Sequence, residues 1–224
     1  MFERQPLRQA VQREILARLS DGRLPAGIRI NETHLSADLG ISRTPLREAM
    51  LHLEAGGFLQ SDLGKGFLVP PLSRKEFAGL QEVLARLAPL ALTTVMPFPG
   101  QRVMELNNLL SRSKMQVLRP GPDQATALME LVFRWGLLLV ESCPNAVLRQ
   151  DVLRLEALSR RYWFTAQRAG FTPDPLVASM DEMYELVRTG QSARAASHWS
   201  DHILRSAQEA GRMLPDPAPR PSSS

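Results

Sequence analysis

The sequence predicts a mostly α protein: a small N-terminal unit that ends in a β-hairpin, followed by an antiparallel bundle of about six helices. Three observations predict it. From Ser73 onward every long segment carries apolar residues at helical spacing and none reads as strand. The β-prone runs are confined to Phe58-Leu59-Gln60 and Phe67-Leu68-Val69, on either side of the Gly-rich Asp62-Leu63-Gly64-Lys65-Gly66. Pro70-Pro71 then ends all regular structure, which sets a domain boundary: 1–71, then 72–214, then a Pro- and Ser-rich tail over 215–224 expected to be disordered.

The elements follow in order. Leu7, Val11, Ile15 and Leu19 mark a first helix, which Asp21-Gly22 ends. Asn31 or Glu32 opens a short helix through Leu39, and Gly40 breaks it. Ser42 caps a second helix through Glu54, closed by Gly56-Gly57. In the larger domain helices are expected over 73–95, 100–117, 123–142, 144–169, 173–189 and 191–213, with Pro and Gly at the breaks. The stretch from Leu80 to Met96 is unusually apolar (Val83, Leu84, Leu87, Leu90, Leu92, Val95) and reads as core or as a dimer face. Trp135 reads as core, and Arg160-Arg161-Tyr162-Trp163 as a solvated helix face.

Composition narrows the function classes. An apolar content of 44% supports a sizeable core. Lys and Arg number 27 against 23 Asp and Glu, an excess of +4 that permits a nucleic-acid partner without demanding one. Residues 1–71 hold nine basic and eight acidic side chains, so DNA binding there must rest on local placement. The single Cys143 rules out an intrachain disulfide and reads as a small buried residue, which fits a cytoplasmic setting. No membrane helix and no signal peptide are expected. Neither a phosphate-cradling Gly loop nor a nucleophile elbow is present, and pairs such as Asp181 and Glu185 read as solvent-facing, so an enzyme is not expected.

The chemistry that stands out lies in the helix pair. Leu35, Leu39, Ile41, Leu46, Ala49 and Met50 form an inner face, which leaves Ser42, Arg43, Thr44 and Arg47 near the N-terminus of the second helix. That is the reading end of a helix-turn-helix. Arg bonds a guanine edge in bidentate fashion or clamps phosphate. Ser and Thr hydroxyls reach phosphate oxygens with help from the helix dipole. Thr33 belongs to the same candidate surface, and Lys65 between Gly64 and Gly66 suits a wing tip that approaches a groove. A double-stranded DNA operator is the expected partner. Two such units related by a dyad read half-sites about one turn apart, so a homodimer is expected.

Leu24-Pro25-Ala26-Gly27, the run from Leu35 to Ala49 with Ser-Arg-Thr-Pro-Leu-Arg-Glu-Ala at its centre, Gly56-Gly57-Phe58-Leu59 and the 64–69 segment resemble the GntR family of bacterial regulators. The helical remainder resembles the ligand-sensing domain of its FadR subgroup. The resemblance implies a dimeric regulator, most simply a repressor, that reads a pseudo-palindromic operator and responds to a small metabolite. It assigns Arg43, Thr44 and Arg47 to the recognition helix and Gly64, Lys65 and Gly66 to the wing.

The resemblance also implies a divalent metal held by an acid and three histidines, and here the sequence departs from it. The acid matches Glu130, but Arg134 stands at the first His, Met180 at the second, and only His202 matches. Arg stays protonated and cannot ligate a cation. No metal cofactor is therefore expected. Ligand-binding candidates are Glu130, Arg134, Met180 and His202, with Arg134 facing inward. Two readings of Arg134 stay open: an ion pair with Glu130 one turn away, or a grip on the carboxylate of an organic-acid effector. His198 and His202, also one turn apart, read either as a metal pair or as a surface His198 with a buried, hydrogen-bonded His202. Leu84 and Ala88 stand where the subgroup often carries Arg and Glu. The competing function is an effector-insensitive DNA-binding or protein-interaction module with a degenerate pocket.

Overall fold

The structure, a computed structural model, describes residues 4–62, 64–119 and 121–215, with the side chains of residues 4, 5 and 62 excepted. Beyond its first residue, the tail expected over 215–224 lies outside the described residues. Packing divides the chain into two units. One is Met1–Arg74 together with Arg160–Thr165; the other is Lys75–Ser159 with Ala166–Leu214.

The first unit begins with α1 (Arg4–Asp21), which buries Val11, Ile15 and Leu19. Leu7, expected on that face, is 43% exposed, because the core it would join starts one turn later. Gly22 takes a φ of +83° and turns the chain. Helix α2 (Glu32–Asp38) is capped by Asn31, whose side chain accepts from the His34 amide at 3.0 Å. Arg18 joins α1 to α2 by pairing with Asp38 while also bonding Glu14 at 2.8 Å. Gly40, at φ +64°, makes the turn into α3 (Arg43–Ala55). That helix packs on both α1 and α2, burying Leu46, Ala49, Met50 and Leu53.

The hairpin forms later than the hydrophobic runs suggest. Strands β1 (Gln60–Asp62) and β2 (Gly66–Leu68) pair antiparallel, with Gln60 opposite Leu68 and Ser61 opposite Phe67. Phe58 and Leu59 serve the core rather than the ladder; the Phe58 amide closes α3 by donating to the Leu53 carbonyl at 2.9 Å. A third segment, not foreseen, borders the hairpin: Arg29 bridges Leu68, and the Ile30 amide donates to the Phe67 carbonyl at 2.8 Å. One apolar cluster unites these pieces, with Ile15, Leu46, Met50, Leu59 and Phe67 at its centre. The Arg160-to-Trp163 segment is a correction. Arg161 is buried and donates to the Pro70 carbonyl at 2.7 Å and to the Tyr162 hydroxyl at 3.1 Å, and Tyr162 and Trp163 are buried with it. A buried guanidinium needs such acceptors, and neighbouring prolines, which leave carbonyls without competing N–H groups, supply one.

The second unit is helical throughout: α4 (Arg74–Val95), α5 (Gly100–Val117), α6 (Gln124–Val140), α7 (Ala146–Arg168), α8 (Asp174–Arg188) and α9 (Ser192–Met213). Helix α5 packs on α6 and α8, and α8 packs on α9. The core draws Leu84, Leu92, Leu106, Leu128, Trp135, Val152, Met180 and Trp199 from six helices. The apolar stretch of α4 splits in two: Leu84, Ala88 and Leu92 are buried, whereas Val83 and Leu90 are 43% and 52% exposed. Cys143 is fully buried as expected. Two buried polar side chains find partners within this unit: the Trp135 indole donates to the Leu106 carbonyl at 3.1 Å and the Gln81 amide to the Ser159 hydroxyl at 2.8 Å.

Candidate nucleic-acid interface and sensing helices

The N-terminal end of α3 carries the residues singled out for DNA. Arg43, Thr44 and Arg47 are exposed while Leu46, Ala49 and Met50 are fully buried, so the helix turns one face to the core and its polar start outward. Ser42 occupies the cap position in extended backbone, yet its hydroxyl makes no capping bond. That corrects the expected cap. The first-turn amides and the Ser42 hydroxyl therefore remain available, and the end of α3 carries the partial positive charge of unpaired N–H groups. Thr33 is exposed on α2. Lys65 is exposed at the hairpin tip between Gly64 (φ +76°) and Gly66 (φ +81°), and both glycines hold left-handed backbone that other residues rarely adopt.

Arg47 ties the helix to the hairpin. Its Nη1 lies 3.4 Å from Glu32 Oε2, and its guanidinium sits 6.0 Å from the centre of the Phe67 ring. Arg29 donates to the Lys65 carbonyl at 3.3 Å, holding the base of the tip. Glu32 and Arg29 were missed from sequence. Each looks there like an ordinary surface charge, and only the packing of α2 and the 29–30 segment beside the hairpin gives it a partner.

The sensing helices depart further from expectation. On α6, Leu128, Trp135 and Leu139 face the core, and at 3.6 residues per turn that places Glu130 and Arg134 on the opposite side. Both are exposed. Arg134, 58% exposed, has its acid partner in Glu141 at 3.9 Å, and Glu141 also pairs with Arg102. The inward Arg134 is thus corrected, and the acid found beside it is Glu141. Val132, between Glu130 and Arg134, is the side chain of this run that packs on the core. Met180 is buried within that core. The four candidates are not gathered: two face solvent on α6, and two lie on α8 and α9.

His202 is largely buried as expected, but the hydrogen-bonded role expected of it falls to His198, which is not at the surface. His198 is nearly buried, with its Nε2 2.9 Å from the Ser179 hydroxyl and 3.0 Å from the Ser179 carbonyl, and its Nδ1 3.5 Å from Glu182. It fastens α9 to α8. His202 has no hydrogen-bond partner among the described residues; burial, with His198 and Arg205 nearby, pushes its imidazole down to about 4. Among the described residues no three His, Cys, Asp or Glu side chains gather at one point. A thioether, one imidazole and an outward carboxylate do not fit a hard divalent cation, which needs convergent oxygen or imidazole donors. A half-open cavity of about 260 Å³ lies elsewhere, lined by Arg112, Met115, Gln116, Arg119 and Leu131. No helix among the described residues is long and apolar enough to cross a membrane.

Comparison with known proteins matches both units. Residues 7–69 match the model of the bacterial regulatory proteins of the gntR family, and residues 79–205 match the FCD domain. The HTH-type transcriptional regulator YdhC of Bacillus subtilis is 29% identical over 129 residues, covering 58% of this chain and 57% of that protein. The Nta operon transcriptional regulator of Aminobacter aminovorans is 46% identical over 61 residues, 27% of this chain and 29% of its own. The regulator McbR of Escherichia coli is 29% identical over 103 residues, 46% and 47% of the two chains. This chain thus matches about half the length, or less, of these relatives. Among solved structures, E. coli McbR/YncC superposes with a TM-score of 0.78 at 18% identity, over 92% of this chain and 97% of the other. A GntR regulator from Rhodococcus sp. RHA1 gives 0.72 at 17%, with the same coverage. At such identities the likeness is one of fold. With the FCD model covering more than half of its residues and the gntR model most of the rest, the chain belongs to the GntR family, in the branch that carries an FCD domain.

Proposed function

We propose that the protein is a sequence-specific DNA-binding transcriptional regulator, working as a homodimer on a two-fold operator, with a small metabolite sensed by the helical domain. One observation carries the reading: Arg43, Thr44 and Arg47 stand exposed at the free end of α3, with a Gly-Lys-Gly tip on the hairpin whose Phe67 meets Arg47. Two cations on a polar helix start suit a major groove, and a lysine on glycine-hinged backbone suits the adjacent backbone or groove. The relatives' names support a regulatory role, and one, the probable D-xylose utilization operon repressor of Paenarthrobacter nicotinovorans, favours repression. Catalysis has no part in this reading.

The sensing domain works without the subgroup's metal, because its donor set does not fit one, and an organic acid is the effector class the reading retains. A specific observation favours the simpler alternative, an effector-insensitive module: Glu130 and Arg134 face outward and do not converge on a pocket.

The test is binding of the purified protein to the DNA flanking its own gene at several salt concentrations, beside an Arg43→Ala, Arg47→Ala variant. Selective, salt-dependent binding that the variant loses is the expected result. Equal binding of the two proteins, or no preference over random DNA, overturns it.

A further inference from the structure

Of the two recognition-helix arginines, Arg47 is the one the fold holds. Arg43 makes no ion pair or hydrogen bond among the described residues. Arg47 is 58% exposed, yet its Nη1 is 3.4 Å from a carboxylate that is only 11% exposed. That carboxylate belongs to Glu32, the first residue of α2. Its other oxygen lies 3.3 Å from where a Cβ on Gly66 would stand, so it rests directly against the backbone of β2. One nearly buried acid thus touches the recognition helix and the wing at once, and the Phe67 ring backs the same guanidinium at 6.0 Å.

Two physical consequences follow. A guanidinium carries five donors in a rigid fork. With one edge on Glu32 its direction is restricted, and its remaining donors point away from the acid, toward whatever lies in front of α3. A carboxylate a few ångström from a polyanion also opposes DNA of any sequence. Only a site that lets Arg47 make its full set of bonds compensates for that repulsion. This is discrimination by a built-in penalty against wrong sites.

We propose that Glu32 is a specificity-determining positioning residue: it aims Arg47, seats the wing through Gly66, and sets a charge against non-cognate DNA. The inference rests on the DNA-binding reading above and adds a residue whose role is selectivity rather than affinity.

The experiment compares the full-length protein with Glu32→Gln, which keeps shape and loses charge. Affinities are measured for an operator selected from random duplexes by the unaltered protein, and for a random duplex of equal length, over a range of salt. Glu32→Gln is expected to bind random DNA more tightly and the operator no better, so that the ratio of the two falls roughly tenfold. In an Arg47→Ala background the same change should no longer alter operator preference. A parallel fall in both affinities with a lower Tm makes Glu32 merely structural and overturns the proposal, as does an unchanged ratio. An effect on operator preference that persists without Arg47 overturns the aiming role. If the unaltered protein itself selects no operator, the DNA-binding reading fails, and this inference fails with it.

Discussion

The recognition unit and the sensing bundle answer their sequence differently. In the first, the side chains singled out for DNA stand exposed on the expected elements, and Arg47 meets the hairpin at Phe67. In the second, the candidate residues scatter, two of them to the solvent side of α6. The difference lies in how each segment is anchored. Helix α3 is short and bounded by Gly40 and Gly57, both at positive φ, so its start and its buried face leave no freedom. Helix α6 is long and apolar on several sides, and there a two-residue shift rotates a position by some 200°. The core claims the side of α6 that carries Leu128, Trp135 and Leu139, and Glu130 and Arg134 fall on the other.

This contrast suggests where the molecule should and should not respond to change. The largest effect belongs to the recognition helix: Arg43→Ala with Arg47→Ala should weaken operator binding by about 4 kcal/mol, the loss of two bidentate contacts, with only a small fall in Tm from leaving Glu32 without its partner. Fluorescence anisotropy and a thermal melt check both parts. Next come the cores. Leu46→Ala in the first unit and Leu128→Ala in the second, both fully buried, should each cost about 3 kcal/mol in denaturant unfolding. Two separate transitions, with each variant lowering only one, would sharpen the division into independent units.

His202 comes third. Its folded value of about 4 lies below the ordinary 6.5. The unfolded chain therefore takes up a proton that the folded chain refuses, and stability is lost as pH falls from 6.5 toward 4, by at most about 3 kcal/mol. A His202→Gln variant should flatten that part of the stability profile; an unchanged profile would place the titration elsewhere. The smallest effect is at Arg134. As a 58% exposed side chain with a distant partner, its replacement by Ala should shift stability by less than about 0.5 kcal/mol, and leave any effector response intact. A lost response would return Arg134 to the ligand site.

Much of the architecture was legible before the structure. Helix α5 falls on the expected 100–117, and the other bundle helices end within a few residues of the Pro and Gly breaks. Those signals are local: a proline lacks its donor and a glycine admits positive φ wherever they occur. The helix-turn-helix was legible for the same reason, since Asn31, Gly40 and the apolar spacing of α3 act within a few residues. What local chemistry does not contain is partnership at a distance. Arg161 next to Pro70, 91 residues apart, Glu32 under Arg47, Arg29 beside Lys65, and the inward turn of His198 all depend on which surfaces meet when the elements pack. Sequence alone determined the helices, the hairpin and the cations on offer. Tertiary packing decided which charges became anchors, which faced solvent, and which side of a long helix the core would claim, because each depends on burial shared between distant segments.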